Sequence, residues 1–186
     1  GVMAVASRTQ DIDLARRQAL KLATPISMLA TLQATKLGFI AIPGISPATP
    51  PTSAKRPGKD GLRVVILTSG AQLGRVVHVP ELDWHAQTIP HFDFLLDSPR
   101  RAAMLAGGHC VPVNTPSPER MALHKLYSST RRASESAKAE KDLRQAATLL
   151  AVLVERDNFG FAQMLAVAPR ELLAAARQRL PSLRSL

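Results

Sequence analysis

A single cysteine, Cys110, stands in a chain of 186 residues. No internal disulfide framework and no multi-cysteine zinc module can form from it, and it suits a reducing compartment. With no base beside it in sequence, Cys110 is expected to pack as a small buried hydrophobe. Aromatic residues make up only 4%, with one tryptophan and one tyrosine, which leaves little to build a base-stacking platform for single-stranded RNA. No apolar run reaches the roughly 18 residues a membrane helix needs, and Gly1-Val2-Met3-Ala4-Val5-Ala6 is too short for a signal-peptide core. The chain therefore reads as cytoplasmic, with no membrane partner. Internal repeats, a G-x-x-x-x-G-K-[ST] loop, a G-x-G-x-x-G fingerprint and a G-x-S-x-G elbow are all missing. With 46% apolar and 20% charged residues, the composition is that of a soluble globular domain whose stability must come from packing.

Acidic residues are also in short supply, 14 against 24 Lys and Arg, for a formal net charge of +10. Residues 1–60 carry 8 basic and 3 acidic side chains, residues 61–113 carry 4 and 4, and residues 114–186 carry 12 and 7. The excess thus sits at the two ends, around a neutral middle. Such a field attracts triphosphates or nucleic acid without selecting one of them.

Between Pro43 and Asp60, five prolines and two glycines mark an exposed loop. Before it, Thr24-Pro25-Ile26 opens an expected helix to about Lys36, and Gly38–Ile42 reads as a short strand. After it, Leu62–Thr68 and Val76–Val79 are the sheet candidates. The segment from Pro99 to Leu105 is expected to form a short helix closed by Gly107-Gly108, followed by an extended His109–Val113 whose Pro112 favours an edge. Ser117-Pro118-Glu119-Arg120 is a helix start, with Ser as cap, Pro at the first position and an acid in the first turn. A long helix follows from about Ser134 to Arg156, with a core-facing stripe of Leu143, Ala146, Ala147, Leu150, Leu153 and Val154. A third runs from Pro169 to Leu180 and stops before Pro181. The expected architecture is α+β: a small mixed sheet with flanking helices over residues 1–113, then a helical portion over residues 114–186.

Two local patterns carry chemistry. In Thr9-Gln10-Asp11-Ile12-Asp13-Leu14, a strand would set Asp11 and Asp13 side by side on one face and send Ile12 and Leu14 into the core. Two such carboxylates either sit solvated at an exposed edge or hold divalent cations that bridge substrate phosphates. The second pattern is Ala122-Leu123-His124-Lys125-Leu126, then Arg131-Arg132, then Lys138-x-x-Lys141-Asp142-x-x-Gln145. Positions 138, 141, 142 and 145 share one helix face, either as a solvated stripe with a Lys138–Asp142 pair or as a cationic wall for phosphates. His78, His85, His91 and His109 show no C-x-x-C or H-x₃-H spacing that would support zinc.

Taken in order, the Thr9–Leu14 motif, the Leu62–Thr68 strand, Val111-Pro112-Val113, the Ala122–Leu126 helix and Lys138-x-x-Lys141-Asp142-Leu143-x-Gln145-Ala146 resemble one family. It is a bacterial family of nucleotidyltransferase-fold proteins in the DNA polymerase β superfamily, related to the nucleotidyltransferases of toxin–antitoxin and abortive-infection systems. The similarity spans about residues 1–155. It implies transfer of a nucleoside monophosphate from a nucleoside triphosphate to an acceptor: a protein, a tRNA, another nucleic acid or a small molecule. On that resemblance Asp11 and Asp13 are the catalytic, Mg²⁺-binding pair, and Lys125, Lys138 and Lys141 face phosphates while Asp142 orients a lysine or the nucleotide. The superfamily also places a Gly-Ser or Gly-Gly helix start upstream of the paired aspartates. Only ten residues precede Asp11, so that element is expected to be lacking. A third carboxylate, expected on the Leu62–Thr68 strand, is replaced by Val65. The alternative to an impaired enzyme is a non-catalytic basic module that binds nucleic acid or an acidic partner protein.

Overall fold

The computed structural model describes residues 11–17, 22–44, 46, 48–106, 108–132, 136–156 and 158–183. The segment Gly1–Ala6, Thr9 and Gln10 ahead of the paired aspartates, Pro47 in the loop and the expected helix start at Ser134 lie outside the described residues. The chain divides into two compact units, Gly1–Phe92 and Asp93–Leu186, whereas the sequence reading set its division after residue 113.

The first unit is built on a mixed sheet. Its strands are β1 (Asp11–Arg16), β2 (Ile40–Ile42), β3 (Ser53–Lys55), β4 (Arg63–Ser69), β5 (Val76–Val79) and β6 (Trp84–Ile89). β1 runs parallel to β4 with Asp11 opposite Arg63 and Arg16 opposite Thr68. β3 pairs antiparallel with residues 63–65 of β4, and β6 pairs parallel with residues 67–69. A strand has two edges, so β1 takes one edge of β4 along nearly its whole length while β3 and β6 follow each other along the other. Among the described residues β1 has no second strand neighbour and lies at the margin of the sheet.

Alternation along β4 sorts the faces. Val64, Ile66 and Thr68 are buried, while Arg63, Val65 and Leu67 are only partly covered. Val64 and Ile66 join Met28, Phe39, Ala54, Val79, Trp84 and Ala86 in the core. Met28 comes from helix α1 (Met28–Ala34), which starts four residues later than the Thr24-Pro25 signal suggested because Ser27 is the cap, its hydroxyl accepting from the Ala30 N–H at 3.4 Å. Strand β3 falls inside the proline-rich stretch between Pro43 and Asp60, where a loop is expected, and β6 is a strand that the sequence pattern does not announce. In β6 the buried positions are Trp84, Ala86 and Thr88, and two of these are too small or too polar to give a clear period-two signal.

In the second unit, which α2 (Phe92–Leu96) leads into, β7 (Arg100–Ala106) and β8 (His109–Thr115) form an antiparallel hairpin, with Leu105 opposite Cys110 and Ala103 opposite Pro112. The helix expected from Pro99 to Leu105 is therefore β7. Gly108 lies in the turn of the hairpin and does not cap a helix, at φ +78, a left-handed conformation that glycine adopts without strain, while Gly107 lies outside the described residues. The helical preference of Ala102 and Ala103 yields to cross-strand pairing. Cys110 is exposed, contrary to its expected burial, because both faces of the hairpin are open. Pro112 has an edge position, as a two-stranded sheet requires.

The helices of this unit are α3 (Pro118–Arg131), α4 (Ser136–Arg156), α5 (Asn158–Val167) and α6 (Arg170–Leu183). Ser117 caps α3, accepting from the Arg120 N–H at 3.4 Å, with Pro118 in the first turn. Leu123, Tyr127, Met164, Leu172 and Ala175 form one apolar cluster, and Leu126, Leu143 and Ala146 another. The stripe on α4 holds at Leu143, Ala146 and Leu153 but not at Val154, which is 59% exposed. α6 continues through Pro181 to Leu183 where the sequence suggested a stop. A proline in the last turn removes one hydrogen bond near a helix end that is already losing them.

Candidate active site

Strand parity on β1 puts Asp11 and Asp13 on the outer face of the sheet, and both are exposed. On the inner face Ile12 packs against the core, while Leu14, expected to follow it inward, is 41% exposed because β1 lies at the margin. Arg16 anchors the strand's far end through an ion pair with Glu81, and its carbonyl accepts from the Thr68 hydroxyl at 3.2 Å. The carboxylates thus stand on a strand fixed at both its inward and its terminal contacts.

The neighbouring strand decides what those carboxylates can do. Partners in parallel pairing face the same side, so Arg63 and Val65 of β4 share the outer face with Asp11 and Asp13. Val65 is in register with Asp13, the place where a third carboxylate would complete a metal-binding set. Among the described residues there is no group of three or more His, Cys, Asp or Glu that could hold a metal ion. Arg63 donates to the Ser53 hydroxyl from Nε at 3.1 Å and from Nη2 at 2.9 Å. Ser53 belongs to β3, on the opposite edge of β4 from β1, so this guanidinium leans away from the aspartate pair. The parity of Arg63 with Val65 was the available signal for its face.

The other predicted residues lie in the second unit. Asp142 on α4 is 2% exposed and is bracketed by two cations: Lys125 Nζ donates to one carboxylate oxygen at 2.7 Å and Arg132 Nη1 to the other at 2.9 Å. Lys125 is on α3 and Arg132 caps that helix, so the carboxylate joins α4 to the C-terminal half of α3. A buried charge needs such pairing, because an unpaired carboxylate away from water is costly. Lys138 and Lys141 are exposed on α4. His124, beside Lys125, is buried, with Nδ1 3.5 Å from the Ser128 hydroxyl. No helical spacing in the sequence connects Arg132 to Asp142.

Asp11 and Asp13 belong to the first unit and Lys125, Lys138, Lys141 and Asp142 to the second, so the candidate residues form two groups. Among the described residues, no helix is long and apolar enough to cross a membrane.

None of the curated proteins matches the chain. One solved structure it is similar to is an antigenic nucleotidyltransferase-like protein from Paracoccidioides brasiliensis, at 17% identity and a TM-score of 0.46, covering 96% of this chain and 74% of that one. A family model described as nucleotidyltransferase matches residues 2–168, which takes in β1, β4 and the Lys125–Asp142 region. The chain belongs to this nucleotidyltransferase family.

Proposed function

We propose that the chain binds a nucleoside triphosphate with Mg²⁺ at Asp11 and Asp13, and that its transfer of the nucleoside monophosphate is impaired by Val65. The observation that carries the second half is the register of Val65 with Asp13. The exposed aspartates fit one magnesium ion, a hard cation that takes one or two carboxylates and completes its shell with phosphate oxygens and water. When bound, that ion would neutralise triphosphate charge. A valine side chain has no lone pair, so it can neither share a second cation with Asp13 nor accept the proton of an attacking hydroxyl.

What the chain's own residues contribute is then positioning and charge. β1 holds the two carboxylates at fixed spacing at the sheet margin. In the second unit, Lys125, oriented by Asp142, and the exposed Lys138 and Lys141 form a cationic group of their own that suits phosphates. Val65→Asp supplies the missing carboxylate. Pyrophosphate release from Mg²⁺ and nucleoside triphosphate, with water taking the nucleoside monophosphate where no other acceptor is supplied, should rise by about 10²-fold, the scale of a positioned acid–base group. Unchanged release in a Val65→Asp protein that still binds nucleotide would refute the impairment.

A further inference from the structure

The histidines that lacked a zinc-like spacing in sequence are reorganised by the fold. His78 on β5 and His85 on β6 are direct cross-strand partners in an antiparallel pair. Their flanking residues Val79 and Trp84 are buried in the core, so both imidazoles stand on the opposite, outer face, His78 exposed and His85 half-buried. The ring centroids are 4.9 Å apart with the planes inclined at 44°.

We propose that His78 and His85 form a chelating site for a borderline divalent transition-metal ion of the zinc class. With a metal–nitrogen bond of about 2.0–2.1 Å, a ligating ring's centroid lies about 3.2 Å from the ion, so two imidazoles bound at about 90–110° have centroids about 4.5–5.2 Å apart. The observed 4.9 Å falls inside that interval, with the rings inclined and not stacked face to face. Two nitrogen donors select a borderline ion over magnesium, which takes oxygen ligands. The two strands are hydrogen-bonded neighbours, so little ordering is left to be done on binding. Among the described residues no third His, Cys, Asp or Glu completes the group, which leaves the remaining coordination positions to water or to an incoming ligand. The site is separate from Asp11 and Asp13 and does not depend on the nucleotide reading.

The test is calorimetric titration of Zn²⁺ into tag-free, chelator-treated protein at about pH 8, since ligation needs neutral imidazole. One equivalent should bind with a micromolar dissociation constant. His78→Ala and His85→Ala should each weaken it at least about tenfold, the loss of one ligand from a chelate. His91→Ala and His109→Ala should bind as the parent does. Absence of saturable binding up to millimolar Zn²⁺ would overturn the proposal, as would binding retained in the His78→Ala, His85→Ala double variant. If His85→Ala fails to fold, the exposed His78→Ala and His78→Gln decide alone, read by the zinc-induced shifts of the His85 ring resonances.

Discussion

Asp142 is a buried carboxylate between two cations, and removing it strands both. Lys125 and Arg132 keep 29% and 41% of their side-chain surface in water, so each can re-solvate in part, but the α3–α4 junction loses two charge-assisted hydrogen bonds. Asp142→Ala should therefore cost about 1–3 kcal/mol in a urea unfolding series, and Asp142→Asn less, because the amide oxygen still accepts one of them. A loss under about 0.5 kcal/mol for the alanine variant would show that the bracket does not hold the helices together. Asp11 and Asp13 predict the contrary pattern. They are exposed at the sheet margin, so changing them to asparagine should leave the unfolding midpoint almost where it was while abolishing nucleotide binding.

At the scale of elements, the hairpin and α6 are a matched contrast. Leu105 on β7 is 76% exposed, so Leu105→Ser should change stability by no more than about 0.5 kcal/mol. Leu172 on α6 is fully buried in the cluster with Leu123 and Tyr127, and Leu172→Ala should cost about 2–5 kcal/mol through the cavity it leaves. A large loss on changing Leu105 would mean that the hairpin is covered in solution. These elements also show which signals the sequence carries. β4 and α3 were legible because a β-branched run bounded by glycines and a Ser-Pro-Glu start each state their structure locally. β7 was not, since Ala102 and Ala103 have a helical preference that only pairing with β8 overrides. α5 was not, because Phe159, Gly160, Met164 and Leu165 give no polar face to mark its period. The shared face of Asp11 and Asp13 was readable from strand parity, whereas the expectation of a carboxylate at Val65 came from the family resemblance. The Asp142 bracket and the His78–His85 pair were not, because both depend on contacts between separate elements.

For the molecule as a whole, the charge of +10 sets how it meets polyanions. Any binding to RNA or DNA through this excess should weaken steeply between about 50 and 200 mM salt, and a salt-independent affinity would contradict that origin. That experiment separates the basic-module reading from the nucleotide reading, because a triphosphate held through Asp11 and Asp13 requires magnesium and the carboxylates. The most direct test is isothermal titration of a non-hydrolysable nucleoside triphosphate with Mg²⁺ into the protein and into its Asp11→Asn, Asp13→Asn variant. The account predicts micromolar, magnesium-dependent binding to the first and none to the second. Equal binding to both proteins, or none to either, would contradict it.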